Sequence, residues 1–276
     1  MTLTRLRTIS GPLRPAVGIA LALLVTTLCL AQTPTANPPE GVRGVLRLRV
    51  RIKLGDRTTG LSRKRFYLIK GSADQHKNLI QTLEQRSLIS RDCYYRAAGA
   101  SEALVKWLKD NDCESVYCRE IATKDIEGPD AVPEFRQALA VGERAWDSAE
   151  LARKWLTVNL PEQLRLGFYR ARQHELQELI QQAEMSSGSK LATVMTDTKG
   201  FAYFADVEPG IYVISNLLPI EVGSNSISWN GCQVELKPEE LSREKRYQIS
   251  NTRDDRQTRC VGVEKPLPPC ESGSEF

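Results

Sequence analysis

Ten residues constrain this chain more than any others. In VLRLRVRIKL, the side chains of Leu46, Leu48, Val50, Ile52 and Leu54 alternate with those of Arg47, Arg49, Arg51 and Lys53. A period of two means an extended strand whose successive side chains point to opposite faces. One face is apolar and the other is wholly cationic. Such a strand folds only where its apolar side meets a second layer, so a sheet with one covered face is required. Gly55-Asp56 and Thr58-Thr59-Gly60 then supply turn chemistry, and RFYLIK (residues 65–70) reads as a second strand.

The pattern changes after Gly71. Leu79, Ile80, Leu83 and Leu88 recur at helical spacing behind Ser72 and Asp74. Ser101 is placed to cap a helix carrying Leu104, Val105 and Leu108, and Pro133 to open another. Asp147 or Ser148 starts a run through Leu151 and Trp155, and Pro161 fits the first turn of the longest helix, which reaches about Met185. Strand-like segments return at Leu191 and continue to Ser250, with Asn230-Gly231 reading as a hairpin turn. The expected fold class is therefore α+β: an antiparallel β-sandwich formed by residues 44–71 and 190–250, interrupted by a helical insertion over 72–189. A Cys-containing tail follows over 251–276.

The N-terminus reads as an export signal. Arg5, Arg7 and Arg14 precede an uncharged stretch, AVGIALALLVTTLCLA, that ends on small residues at its last and third-last positions. It is shorter than the about 20 residues of a spanning helix. Residues 1–31 are expected to be a secretory signal, cut after Ala31 or kept as an anchor. The Pro-rich residues 32–43 are the linker. The whole chain has 38 basic and 34 acidic residues, and the leader holds three of the former and none of the latter. The remainder carries a net charge of +1, which gives no bulk attraction for nucleic acid. Membrane contact is expected only through a retained signal.

Six cysteines remain beyond Cys29: Cys93, Cys113, Cys118, Cys232, Cys260 and Cys270. An even number in an exported chain implies disulfides. Proximity favours pairs within each cluster of three, and an odd cluster forces at least one bridge between them. Zinc is the rival, but C-x4-C is not a zinc-knuckle spacing and His76 and His174 stand far from it. Both histidines read as solvated helix residues. No G-x-S-x-G, H-E-x-x-H, P-loop or EF-hand pattern occurs, and no cofactor or metal is implied.

The segment TDTKGFAYF (196–204), followed by VEPGIY (207–212), resembles the carboxypeptidase regulatory-like domain, which is similar to the transthyretin-like and collagen-adhesin B-type sandwiches. The resemblance rests on the turn at Asp197 and Gly200, on Phe201, Tyr203 and Phe204 as large inner residues, and on the second turn at Pro209-Gly210. Tyr212 then suits a corner clamp whose hydroxyl bonds back to the backbone. The resemblance covers about 90 residues, and the helical insertion departs from it.

Candidate binding residues are the stripe Arg47, Arg49, Arg51 and Lys53, against the alternative of an edge strand defended by charge. A second candidate is the loop Cys113–Cys118, which would present Val116 and Tyr117 if closed. The expected function is a non-enzymatic exported module, its sheets carrying a helical element with Trp107, Trp146 and Trp155 that meets a protein or a polysaccharide. Two alternatives stand beside it: an envelope assembly subunit using strand addition, and a hydrolase using Glu102, Glu114 or Glu120 between insertion and sheets.

Some members of the family that this segment resembles join a lysine to an asparagine. Lys53 and Asn251 occupy comparable ends, but Asn216 stands after YVIS where that family has an acid, so the proton has no shuttle. The intact mass of the chain is expected to show no loss of ammonia. A deficit of one ammonia would overturn this.

Overall fold

The computed structural model of the chain describes residues 41–86, 88 and 90–270. The expected signal and most of its linker lie outside them. Three strands come first: β1 (Gly44–Leu54), β2 (Arg57–Gly60) and β3 (Arg65–Lys70). Seven helices follow, α1 (Lys77–Gln85), α2 (Arg91–Ala97), α3 (Glu102–Asp110), α4 (Thr123–Ile126), α5 (Pro133–Trp146), α6 (Ala149–Lys154) and α7 (Phe168–Ser187). Strands then resume as β4 (Ala192–Met195), β5 (Phe201–Val207), β6 (Gly210–Ser215), β7 (Ile220–Val222), β8 (Asn225–Ser228) and β9 (Cys232–Leu236). The short helix α8 (Pro238–Leu241) precedes β10 (Lys245–Ser250), β11 (Thr258–Val261) and β12 (Val263–Pro266).

The alternation in β1 has the predicted consequence. Leu46, Leu48 and Val50 are fully buried and Ile52 nearly so. β1 is central in its sheet, flanked by β10 on one side and by β5 and β2 on the other. Its apolar face shares one core with Phe66 and Leu68 of β3, Ile214 of β6 and Val234 and Leu236 of β9, strands of a second sheet ordered β4-β3-β6-β9. The pairings are antiparallel except β1 with β10 and β10 with β11, which are parallel.

β3 and β6 do not alternate, because both of their faces are covered. Tyr67, Ile69 and Val213 point away from the first core and meet Leu79 and Leu83 of α1 and Leu176, Leu179 and Ala183 of α7. The remaining helices, with the first residue of α7, enclose a third core around Tyr95, Leu108, Phe135 and Phe168. Ser101 and Ser148 cap α3 and α6, accepting from the Leu104 and Leu151 amides at 3.2 and 3.3 Å. A π-helical turn at Gln163–Gly167 leads into α7.

The turn after β4 forms as the sequence implies. Asp197 Oδ1 accepts from the Lys199 and Phe201 amides, each at 2.8 Å. Gly200 has φ +80, and a Cβ there would lie 2.3 Å from the Val50 carbonyl oxygen, so only glycine fits. The Tyr212 hydroxyl donates to the Glu208 carbonyl at 3.0 Å, the corner clamp.

Several expectations are corrected. The inner face of β5 is Ala202 and Phe204, not Phe201 and Tyr203. Its register places Phe204 opposite Leu46 and Phe201 opposite Arg49, so the two outer aromatics face the arginines. Asn230-Gly231 is not a hairpin turn: β8 pairs with β7 and β12, whereas β9 pairs with β6. Neither residue has the positive φ that a type I′ turn requires. Trp229 and Asn230 are instead buried as the chain crosses between sheets. The tail is not an appendage, since β11 extends the first sheet and β12 pairs with β8.

His76 is buried, not solvated. Its Nε2 donates to the Lys70 carbonyl at 2.9 Å, which leaves Nδ1 to accept from the Ser186 hydroxyl at 2.6 Å. The imidazole thus joins the end of β3 to the end of α7.

All six cysteines pair. Cys113–Cys118 and Cys232–Cys260 lie within their clusters, and Cys93–Cys270 is the bridge between clusters. Leu48→Ala is expected to cost about 2–5 kcal/mol of stability as a cavity in the shared core. Tyr212→Phe is expected to cost about 1 kcal/mol as one lost hydrogen bond. Denaturant unfolding at fixed pH measures both.

Candidate functional site: a cationic cleft beside the helical insertion

The cationic stripe comes first because the sequence singles it out. Arg47 Nη1 lies 3.4 Å from Glu244, Arg51 Nη1 2.6 Å from Asp255 and Lys53 Nζ 2.5 Å from Asp254. Arg47 and Arg49 stack on the Phe201 ring, with guanidinium carbons 4.4 and 5.1 Å from its centroid. Three of the four cations are thus neutralised within the chain and the fourth lies over an aromatic ring. Asn251 grips the Lys53 backbone rather than its amine, with Oδ1 accepting from the Lys53 amide at 2.8 Å and Nδ2 donating to its carbonyl at 3.1 Å.

The disulfide loop also behaves differently from its expectation. Val116 is fully buried in the core of the insertion, and only Tyr117 is presented to solvent. Trp107 is buried as well, edge-on to Phe135 with ring centroids 5.1 Å apart, so it is no contact residue. Trp146 is half-buried and Trp155 exposed.

The three proposed carboxylates go to three places. Glu102 pairs with Arg96 at 2.6 Å on the surface, and that bond holds its carboxyl below the ordinary range. Glu120 lies in a groove with Tyr117 and Arg153. Glu114 alone reaches the junction of insertion and sheet.

That junction holds an open cleft of about 340 Å³. Tyr169, Arg172 and Gln173 of α7 form one wall. Arg63, Lys64 and Arg65 at the entry to β3, with Met195 of β4, form the opposite one. Asp112, Glu114 and Cys118 close one end, and Asn216, Leu218 and Ile220 floor it. Four cations thus face two carboxylates. Tyr169, Arg172 and Gln173 share a helix face because they are three and four residues apart.

Local backbone geometry aims these groups. Arg63 adopts φ +54, its amide donating to the Thr196 carbonyl at 2.9 Å. Thr196 Oγ1 accepts from the Lys64 amide at 3.0 Å, and the Thr196 amide donates to the Lys64 carbonyl at 3.0 Å. This stitching turns the three basic residues along the cleft. On the other side, α3 ends in a Schellman closure: the Asp112 amide donates to the Lys109 carbonyl and the Cys113 amide to that of Leu108. Asp112 occupies the left-handed position at φ +50, where glycine is the usual residue. Its carboxylate reaches Lys64 Nζ at 2.9 Å, and the Lys64 side chain is only 13% exposed.

Below lies a void of about 20 Å³, the size of one water, bordered by Arg91, Phe168 and Glu221. The Arg91 amide donates to Glu221 Oε1 at 2.5 Å, and its guanidinium bonds Asp92 at 3.0 Å and lies 3.8 Å from Glu221. Burial raises the Glu221 carboxyl above its ordinary value despite Arg91 beside it. Asp125, in contrast, is held low: bonds from Arg119 and the Ala122 amide outweigh the opposing effect of burial.

Among the described residues no group of three or more His, Cys, Asp or Glu side chains is arranged to hold a metal ion. No protein-family model, curated protein or solved structure matches the chain. Of the cleft residues the sequence points to Glu114, as an acid between insertion and sheets, and to Cys118, as half of a disulfide, but not to the basic wall or to α7. The basic run Arg63-Lys64-Arg65 was visible, but nothing in the linear pattern joined it to residues more than 100 positions away on α7.

A raised carboxyl is protonated more readily in the folded state. Its contribution to stability is fully present below the unfolded value, near 4.5, and is lost as pH rises through the folded value. Wild-type stability is expected to fall over that interval more steeply than that of Glu221→Gln. Unfolding midpoints measured across pH give the comparison, and parallel curves would refute it.

Proposed function

We propose that this chain is an exported, non-enzymatic binding module. The five- and four-stranded sheets form a sandwich of the carboxypeptidase regulatory-like type, with a small third sheet of β12, β8 and β7 beside them, and the helical insertion completes a seat for a partner bearing acidic groups, protein or glycan. The shared core between β1 and the second sheet, the Gly200 turn and the Tyr212 clamp support the sandwich reading. Three disulfides fit an oxidising compartment and so support export.

One observation carries the binding reading: the junction cleft gathers four cations against two carboxylates from separate segments of the chain. Arg63 makes no ion pair among the described residues. A concave site of this size, lined by a few convergent polar groups, suits recognition of a small segment of ligand. Glu102, Glu114 and Glu120 lie apart, and the second acid of the cleft, Asp112, is held by Lys64, which supports a binding role over a catalytic one. The stripe on β1 is better read as a solvated outer face, because its charges are already answered.

Charge reversal tests this. The double variant Arg63→Glu/Arg65→Glu is expected to lose about tenfold or more in retention on immobilised polygalacturonate or polyglutamate at low salt. Wild-type retention should weaken as salt screens the cleft. The parallel variant Arg49→Ser on the stripe is expected to bind as the wild type does. Equal retention of the reversed and native proteins would remove the cleft from consideration.

A further inference from the structure

We infer that Asp112 is an internal stand-in for the anionic group of an acidic polysaccharide, occupying Lys64 until a sugar carboxylate or sulfate displaces it. This rests on the reading of the junction cleft as the ligand seat.

Three observations converge on it. The first is the placement of Lys64. Its side chain is largely buried, it borders both the cleft and the void beneath it, and its ammonium meets Asp112. The second is the fixed position of Asp112. Asp112 sits in the left-handed position of a Schellman closure, a backbone that aspartate tolerates and that fixes its carboxylate beside Lys64. Its carboxylate meets Lys64 and is more than half exposed, so water and ligand can reach it. The third is the opposite wall, where Arg63 also adopts a left-handed backbone. For an arginine that backbone is uncommon, and such residues recur at ligand clamps.

The ligand class follows from the walls. A peptide would ordinarily bind here by adding a strand, but β3 is paired on both sides, with β4 and with β6. The edge of that sheet is β4, only four residues long, and of its residues Met195 alone borders the cleft, which leaves a peptide little edge to extend. Tyr169 instead presents a ring that is 40% exposed, and Arg172 and Gln173 lie beside it on the same helix face. An aromatic platform flanked by planar hydrogen-bonding groups suits the apolar face and hydroxyls of a pyranose ring. The volume of about 340 Å³ lies at the small end of ligand sites. It therefore favours a short charged segment within a longer chain.

The exchange has a definite energetic sign. An anionic ligand must break the Lys64–Asp112 pair and push the Asp112 carboxylate into solvent, where it is still solvated. Removing that carboxylate should therefore strengthen binding, the reverse of what loss of a ligand contact would do. Lys64 should behave in the opposite way, as the group that both anions seek.

The test uses the purified full chain in calorimetric titrations with four probes: oligogalacturonate, a heparin-derived oligosaccharide, neutral dextran and polyglutamate. Asp112→Asn keeps a side chain that tolerates the left-handed backbone. It is expected to tighten binding of a charged oligosaccharide about two- to fivefold, the change that corresponds to releasing one partly exposed ion pair. Lys64→Gln is expected to weaken it about tenfold or more. The double variant should match Lys64→Gln, because Asp112 acts only through Lys64. Asp112→Gly serves as a second variant, expected to raise the melting temperature as well as the affinity. The preferred charged oligosaccharide identifies carboxylate or sulfate as the group received.

If Asp112→Asn binds more weakly than, or equally to, a wild type that does bind, the stand-in role is overturned while the cleft remains the seat. If polyglutamate binds more tightly than either charged oligosaccharide, the polysaccharide assignment is overturned. If no anionic probe binds, the reading of the cleft itself fails.

Discussion

The joint between helix α2 and the sheets is the contact on which the rest of the molecule depends. The insertion leaves the second sheet after β3 and returns to it at β4, so both of its ends are fixed, but its middle is not. At α2 it is tied to the strands twice over. The Arg91 amide and guanidinium engage Glu221 of β7, and the Cys93–Cys270 bridge holds the same helix to the C-terminal segment. A bridge that closes a loop of 177 residues removes about 5 kcal/mol of conformational freedom from the unfolded chain in the entropy account. The buried charges contribute little net stability, because their desolvation offsets their attraction. Their effect is one of register: a carboxylate left without Arg91 would be buried and unpaired, so other dockings of the insertion are penalised.

The cleft is a product of that joint. Its floor, Asn216 to Ile220, belongs to the strand segment that leads into β7, and its wall of Tyr169 and Arg172 belongs to α7. Arg172 itself donates to the Pro219 carbonyl at 3.2 Å and so repeats the same attachment one layer further out. Asn216 shows how tightly the floor is specified. Its amide group bonds the Leu218 and Ile227 carbonyls at 2.9 and 3.2 Å and accepts from the Trp229 amide at 2.8 Å. Asn216 therefore has a structural task of its own, which fixes the turn on which the cleft rests.

What the sequence disclosed followed from strictly local rules. The alternation in β1, the turn at Asp197–Gly200, the corner tyrosine, the Ser101 cap and the parity that forces a bridge between cysteine clusters all depend on residues a few positions apart, or on counting. The failures share a cause too. His76 sits among polar neighbours in sequence, but its ring is enclosed by β3 and α7, which are brought together from residues 70 and 186. Val116 and Trp107 resemble surface aromatics and aliphatics only until the insertion closes its own core around them. Asn230-Gly231 carries the ordinary hairpin signal, yet the burial of Trp229 and the bond from Ser215 to Asn230 override it. In each case tertiary burial outweighs a local preference worth about 1 kcal/mol or less.

The two cationic features show why charge in a sequence is a poor guide to function until partners are known. The β1 stripe has the more regular pattern and the greater density of arginine. It is also the feature whose register places acids and aromatics directly opposite: β5 supplies Phe201 and Tyr203, and the segment after β10 supplies Asp254 and Asp255. A cation paired in this way has already spent its attraction, and an incoming anion must compete for it on a flat, hydrated face where such pairs are weak. The run Arg63-Lys64-Arg65 has no pattern at all, but a left-handed backbone at Arg63 turns it into a concave wall whose opposing charges are fewer. Concavity lowers the local dielectric and concentrates the field of the cations, so the same number of charges attracts more strongly there. The decisive property is thus geometric, and it comes from two residues with left-handed backbone, Arg63 and Asp112, that no periodicity could reveal.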